Sequence, residues 1–258
     1  GEIYNWAALK ENMGLYPTQP SASDCSILGA LWLRLRDEPD GPKRFFRALD
    51  GVFAIVLLDL ERGTVLVGRD PYGVRPLFMA SRDSGLSTYF GSEVKTIYPF
   101  TADASMLTIE QFPAGHYAFY KQGTPINSSA SSLIYRPLWS PQSYHEVPWL
   151  KMSGLVHDVT VKEMLRNSLV SAVRKRMMTE RPVAALLSGG VDSSLIAALV
   201  AREMRQSNSK QRLQTFSIGF QGSSDLYYAR LVAEKIGSEH HEIVSTPDEF
   251  FAAIPEVI

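Results

Sequence analysis

The chain of 258 residues is 45% hydrophobic and 21% charged, which supplies enough apolar material for one or two packed domains, and size favours two. Lys and Arg number 26 against 27 Asp and Glu, so the formal charge of −1 offers no electrostatic footprint for nucleic acid or an anionic membrane. One cysteine, Cys25, excludes an internal disulfide and fits a reducing, cytoplasmic setting, and no apolar stretch approaches the roughly 18 residues of a membrane span.

Gly1-Glu2-Ile3-Tyr4-Asn5 has neither an initiator Met nor a charged-then-apolar leader, and reads as the middle of a domain. Residues 250–258 read as an unfinished helix, so truncation at both ends is expected. Residues 52–58 (VFAIVLL) form a short apolar run rich in β-branched side chains, predicting a strand buried on both faces. Glu61-Arg62-Gly63 then predicts a hairpin turn into a strand over 64–67, with further strands over 77–80, 88–91 and 116–120. From 121 to 149 periodicity gives way to Ser, Pro, Asn and Gly, the composition of a long loop or crossover. A boundary is therefore placed at 148/149.

Val161, Met164, Leu165, Leu169, Ala172 and Val173 share one helical face, opposite Lys162, Arg166, Arg174 and Lys175. Strands over 183–187, 213–220 and 240–244 then alternate with helices over 193–204, 225–236 and 247–258. Such alternation predicts a doubly wound parallel sheet, an α/β domain following a β-rich one.

The sharpest motif is Leu186-Leu187-Ser188-Gly189-Gly190-Val191-Asp192-Ser193-Ser194, an apolar strand running through a Ser/Gly turn into a helix. Two glycines able to take positive φ, free N–H groups and the positive end of a helix dipole together form an anion site. The hydroxyls of Ser188, Ser193 and Ser194 add donors, while Asp192 would repel a bare phosphate, so its partner is a divalent cation, Mg2+, bridging to phosphate. The plainer alternative is a turn with Asp192 as the helix N-cap. Neither the Walker A pattern nor the dinucleotide fingerprint fits, because the Gly-Lys-Ser/Thr and the third glycine are missing. Asp225, in Gly222-Ser223-Ser224-Asp225-Leu226, reads first as an acid stabilising a helix start and second as another carboxylate on the metal side. His240 and His241 are adjacent on a strand and point to opposite faces, a poor arrangement for a metal.

The loop resembles the S-G-G-x-D-S-S pyrophosphate loop of the PP-loop ATP pyrophosphatases, adenine nucleotide alpha hydrolase-like folds that cleave ATP between the α and β phosphates. That resemblance implies ATP contacts from Leu187 through Ser194 and from Ile218 and Gly219, with Leu187 and the backbone near Ile218 holding the adenine. Gly1 to Asn5, Ser23-Asp24-Cys25, Asp50 to Ala54 and Gly68 to Leu77 occur in the order found in class II glutamine amidotransferase domains, Ntn-type αββα sandwiches. The combination, with Phe90 to Lys95 and Phe112 to His116, resembles the asparagine synthetase family over nearly the whole chain.

The resemblance implies that Gly1, Glu2 and Asp24 contact glutamine, Asp24 through the α-ammonium group, and that the substrates are glutamine, aspartate and ATP. A homodimer is compatible with it. The family nucleophile is an N-terminal cysteine with its own amine as base; Gly1 stands at that end here, so no glutaminase catalytic residue is expected in the chain, and Cys25 lacks a free amine. The family's later Ser-Gly-rich acidic loop is not reached by Ile258 either. A β-lactam synthetase-like cyclising ligase, a non-catalytic divergent partner, and a transfer-RNA-modifying PP-loop enzyme remain as rivals, the last disfavoured by the charge balance.

Overall fold

The computed structural model describes residues 1–15, 23–82, 87–100, 108–123, 134–137, 140–147, 159–179, 181–207 and 211–257. The chain divides into two compact units, Gly1–Ser153 and Gly154–Ile258.

In the first unit, β1 (Glu2–Ile3) pairs antiparallel with β2 (Gly51–Val52), and three helices lie near the start of the chain: α1 (Trp6–Asn12), α2 (Ser26–Leu35) and α3 (Gly41–Ala48). β3 (Ala54–Asp59) and β4 (Thr64–Arg69) form the expected hairpin, with Gly63 at φ +59 in its turn. A second sheet is built from β5 (Phe78–Arg82), β6 (Ser87–Gly91) and β7 (Thr108–Gln111), with the short helix α4 (Val94–Ile97) after β6. β8 (His116–Gly123) returns to the first sheet beside β4, and also pairs with β9 (Ile134–Pro137) and β10 (Gln142–Ser143). Thus strand pairing continues into the stretch expected to be loop; short strands of mixed polarity lack a periodic signal and are set by their partner β8. Residues 124–133, 138–139 and 148–149 of that stretch lie outside the described residues.

The core of this unit is aromatic. Phe45 and Phe46 are fully buried, and Phe46 stacks on Phe53, Tyr117 and Tyr144 at centroid distances of 6.0, 6.0 and 5.3 Å. Each such phenylalanine contributes roughly 2–3 kcal/mol by leaving water. Gly68 on β4 makes the approach possible, since a Cβ there would lie 2.2 Å from the Phe46 ring. The strand expected to be buried on both faces is not: Ile55 is covered, but Val56 and Leu58 are 52% and 51% exposed. An antiparallel pair needs only one covered face, and a continuous apolar run cannot by itself reveal which face lacks a partner.

The second unit contains α5 (Val159–Arg176), β11 (Ala184–Leu186), α6 (Val191–Gln206), β12 (Gln214–Gly219), α7 (Ser224–Ile236), β13 (Glu239–Val244) and α8 (Pro247–Val257). The three strands form a parallel sheet in the order β11-β12-β13. Leu187, Ala197, Val200, Leu213, Ala229 and Ala233 pack into one core. α7 is bounded locally, by Ser223 accepting the Leu226 N–H and by Gly237 at φ +68 after its last turn. α8 opens on a reciprocal box in which the Thr246 N–H donates to Glu249 at 2.7 Å and the Glu249 N–H to the Thr246 hydroxyl at 3.3 Å. The apolar stripe of α5 is covered only towards its end, where Val173 is buried; Met164 and Leu165 are 67% and 69% exposed.

Candidate functional site

The chain enters the Ser-Gly turn under tight control. The Leu187 N–H donates to the Phe216 carbonyl at 2.8 Å, and the buried Ser217 hydroxyl donates to the Leu187 carbonyl at 2.5 Å. β11 ends at Leu186 while β12 runs on to Gly219, so a crevice opens beyond the shorter strand. This is the carboxyl end of a parallel sheet, where ligands of open α/β folds bind.

The two glycines of the turn do different work. Gly189 has φ +79, and a Cβ on it would come within 2.7 Å of the Ala229 nitrogen and of Tyr228 on α7. Gly190 sits at φ −72 and ψ 163, an ordinary extended conformation, so the expectation of positive φ holds for one glycine only. A Cβ on Gly190 would meet nothing closer than the Ser188 hydroxyl at 3.5 Å. No fold constraint among the described residues therefore calls for its missing side chain, which suits a position closely approached by a ligand.

Gly190, not Asp192, is the N-cap of α6, and no side chain caps that helix. Asp192 lies in the first turn, exposed, beside a helix start whose amide groups point outward by construction. The plainer reading of Asp192 as cap is thereby displaced. Val191 is 83% exposed. The three hydroxyls brace the turn: Ser188 and Ser193 meet at 3.0 Å, and Ser194 donates to the Gly190 carbonyl at 2.7 Å.

Leu186, Leu187, Ser188, Phe216, Ser217, Ile218, Leu226, Ile243 and Asp225 line one cleft of about 240 Å3. Three of the expected contacts, Leu187, Ser188 and Ile218, thus line the same cleft. Gly219 lets Ser223 and Leu226 of the following turn approach, each 3.0 Å from where its Cβ would be. A second cavity, of about 410 Å3, shares Ile218 but is otherwise almost wholly apolar and lined from α8, unsuited to phosphate. His240 turns towards Thr215 and Ser217, with Nδ1 2.9 Å from the Thr215 hydroxyl, whereas His241 stacks on Phe216 at 4.8 Å; the two do point apart.

In the first unit, the Ile3 N–H donates to an Asp24 carboxylate oxygen at 2.7 Å, bringing Asp24 beside the strand that carries Glu2 and follows Gly1. A Cβ on Gly1 would lie 2.5 Å from the Val52 carbonyl, so the backbone must run bare there. Glu2 is exposed and Asp24 half-buried, with lone pairs left to accept from an ammonium group. Cys25 is a free thiol whose pKa is pushed up by desolvation and by the Asp24 carboxylate, which makes it a weaker nucleophile.

The family models give the context for both units. Residues 1–99 match the model described as glutamine amidotransferase domain, and residues 164–258 match asparagine synthase. Over 100% of its length the chain is 38% identical to the glutamine-hydrolyzing asparagine synthetase of Cricetulus griseus, 37% to that of Homo sapiens and 34% to asparagine synthetase B of Escherichia coli (strain K12). Over its whole length the chain resembles part of a glutamine-hydrolyzing asparagine synthetase. It spans 45%, 45% and 43% of the length of those three relatives.

Arg69 and Asp70, within the amidotransferase match, brace a loop through backbone groups. Arg69 donates to the carbonyls of Arg75, Phe112 and Gly73 at 2.7 to 2.8 Å. The buried Asp70 carboxylate accepts from the N–H groups of Phe53, Tyr72, Val74 and Arg75. Sequence reasoning missed Phe216, Ser217, Leu226 and Ile243 as cleft residues, and only the strand context of 215–220 could have pointed to the first two. It placed Asp225 but ranked its bland role first.

For a synthetase-type site the donor set bears on magnesium. Among the described residues no cluster of three metal-ligating side chains exists. Asp192 alone at the helix start fits a magnesium ion held by one carboxylate together with nucleotide phosphates rather than by a protein cage. There the ion would offset phosphate charge.

Proposed function

We propose that the full-length protein makes asparagine from aspartate, with glutamine as nitrogen donor and ATP as activating substrate. The observation that carries this reading is the turn 187–194, with its uncapped helix start, exposed Asp192 and unexplained Gly190, opening beside a cleft shared with Ile218. Chemically, a carboxylate is a poor electrophile at neutral pH, so aspartate must first become β-aspartyl-AMP. Ammonia then displaces AMP, and pyrophosphate leaves from the loop. The loop amides and the dipole of α6 would stabilise the phosphate charge, with Asp192 holding Mg2+.

Leu187 and the backbone of Ile218 and Gly219 would flank the adenine, and Ser188, Ser193 and Ser194 the phosphates. Gly1, Glu2 and Asp24 would seat glutamine, the Asp24 carboxylate meeting its ammonium group. On this reading the first unit is part of an Ntn-type αββα sandwich and the second part of a PP-loop fold. The protein works in the cytoplasm on small molecules, with no nucleic-acid or membrane partner. The test is an assay of the full-length protein with glutamine, aspartate and Mg-ATP, following asparagine, AMP and pyrophosphate. Asparagine and AMP should form together, and Asp192→Ala should abolish both without lowering stability. ATP cleavage that ignores aspartate would overturn the assignment.

A further inference from the structure

We propose that Asp225 recognises the sugar of the nucleotide, its carboxylate accepting hydrogen bonds from the ribose hydroxyls; this rests on the reading of the cleft as an ATP site. The first turn of α7 is wedged between the ends of two strands by two glycines. A Cβ on Gly189 would lie 3.0 Å from the Asp225 carbonyl oxygen, and one on Gly219 would lie 3.0 Å from Ser223 and Leu226. The backbone of Asp225 is therefore packed against Gly189, and its neighbours Ser223 and Leu226 against Gly219.

The carboxylate is not consumed in holding the helix. Ser223 is the cap, accepting the Leu226 N–H, and Asp225 itself meets the Ser224 hydroxyl only at 3.4 Å. It lines the same cleft as Leu187, Ser188 and Ile218. Among the described residues the lining contains no lysine or arginine, so the fixed charge in the cleft is negative. A carboxylate can only accept hydrogen bonds, and beside phosphate it would be repulsive. Among the described residues no cluster of three metal-ligating side chains includes it, and the hydrogen-bond donors of a nucleotide that lie between base and phosphates are the neutral ribose hydroxyls. An acidic residue reading ribose hydroxyls at a strand end is established chemistry in another nucleotide-binding fold. On the reading that seats phosphate against Ser188 and adenine against Ile218, the sugar between them is the part of the nucleotide left for Asp225, which lines the same cleft.

The experiment is a nucleotide-binding titration on the full-length protein with ATP, 2′-deoxy-ATP and 3′-deoxy-ATP in excess Mg2+, for the wild type and Asp225→Asn. The wild type should bind at least one deoxynucleotide roughly tenfold or more weakly than ATP, as expected for loss of a hydrogen bond to a charged group. In Asp225→Asn, ATP should weaken to the level of that deoxynucleotide, and the discrimination should disappear. A thermal-unfolding curve checks that the variant folds. The inference is overturned if the wild type does not discriminate. Equal weakening of all three nucleotides by Asp225→Asn, or discrimination that survives it, is equally fatal. Absence of ATP binding, or binding indifferent to Asp192→Ala, would instead sink the nucleotide reading itself.

Discussion

The loop around Arg69 and Asp70 and the loop around Gly189 and Asp192 are both built from glycine, charge and tight turns, yet they treat their polar groups in opposite ways. In the first, Arg69 feeds three carbonyls and Asp70 gathers four N–H groups, and both side chains are buried. In the second, the helix start is uncapped and Asp192 is exposed, while the hydroxyls tie down the turn itself, Ser193 and Ser194 donating to the Gly190 carbonyl and Ser188 meeting Ser193. A polar residue whose capacity is used up internally is scaffold; one held in place with capacity to spare is available to a ligand.

Asp70→Ala should sharpen that contrast most. It would leave buried N–H groups without an acceptor, costing roughly 3–5 kcal/mol in chemical denaturation of the first unit. The reciprocal change, Asp192→Ala, should leave the denaturation midpoint in place while abolishing asparagine formation. A large stability loss from Asp192→Ala, or a small one from Asp70→Ala, would break the distinction.

The two glycines of the phosphate turn allow a finer comparison. Gly189→Ala combines a positive φ with a backbone clash against α7, so a loss of about 2–3 kcal/mol is expected from thermal unfolding. Gly190→Ala meets no clash, and the reduced freedom of the unfolded chain offsets a poorer N-cap, so stability should change by less than about 0.5 kcal/mol. Its effect should fall on ATP affinity instead. If Gly190→Ala destabilised as much as Gly189→Ala, the backbone itself, not a ligand, would explain that glycine.

The smallest expected effect is a pH dependence within the scaffold. Burial pushes the Asp59 carboxyl up, but hydrogen bonds from Trp32, Arg36 and the Arg62 N–H outweigh this and hold it below its ordinary value. A carboxyl depressed in the folded state adds stability that is present above its unfolded pKa, about 3.9, and disappears as pH falls below that. Unfolding of the wild type should therefore steepen with acid below about pH 4, and Asp59→Asn should flatten that slope.

Much of the second unit was legible because its signals are local. The strand, turn and helix of residues 186–194 follow from consecutive residues, and Ser223, Gly237 and the Thr246–Glu249 box mark helix ends within a few positions. The first unit was less legible. Val56 and Leu58 look like core but are half exposed, because exposure depends on what faces a strand, not on its own composition. Likewise β9 and β10 have little pattern of their own and owe their pairing to β8.

The amino-acid sequence by itself determined the strand-helix alternation of the second unit, the anion-binding turn and the family resemblance, since each rests on neighbours in the chain, but not the helices α1 to α4 of the first unit. Tertiary structure alone decided that the Ile3 N–H finds Asp24, that Gly189 and Gly219 admit the first turn of α7, and that Asp225 thereby enters the cleft with Ser188 and Ile218. The contacts of Ile3 with Asp24 and of Gly189 with α7 join segments about 20 to 40 residues apart, and close packing sets such contacts with a precision that no periodicity encodes.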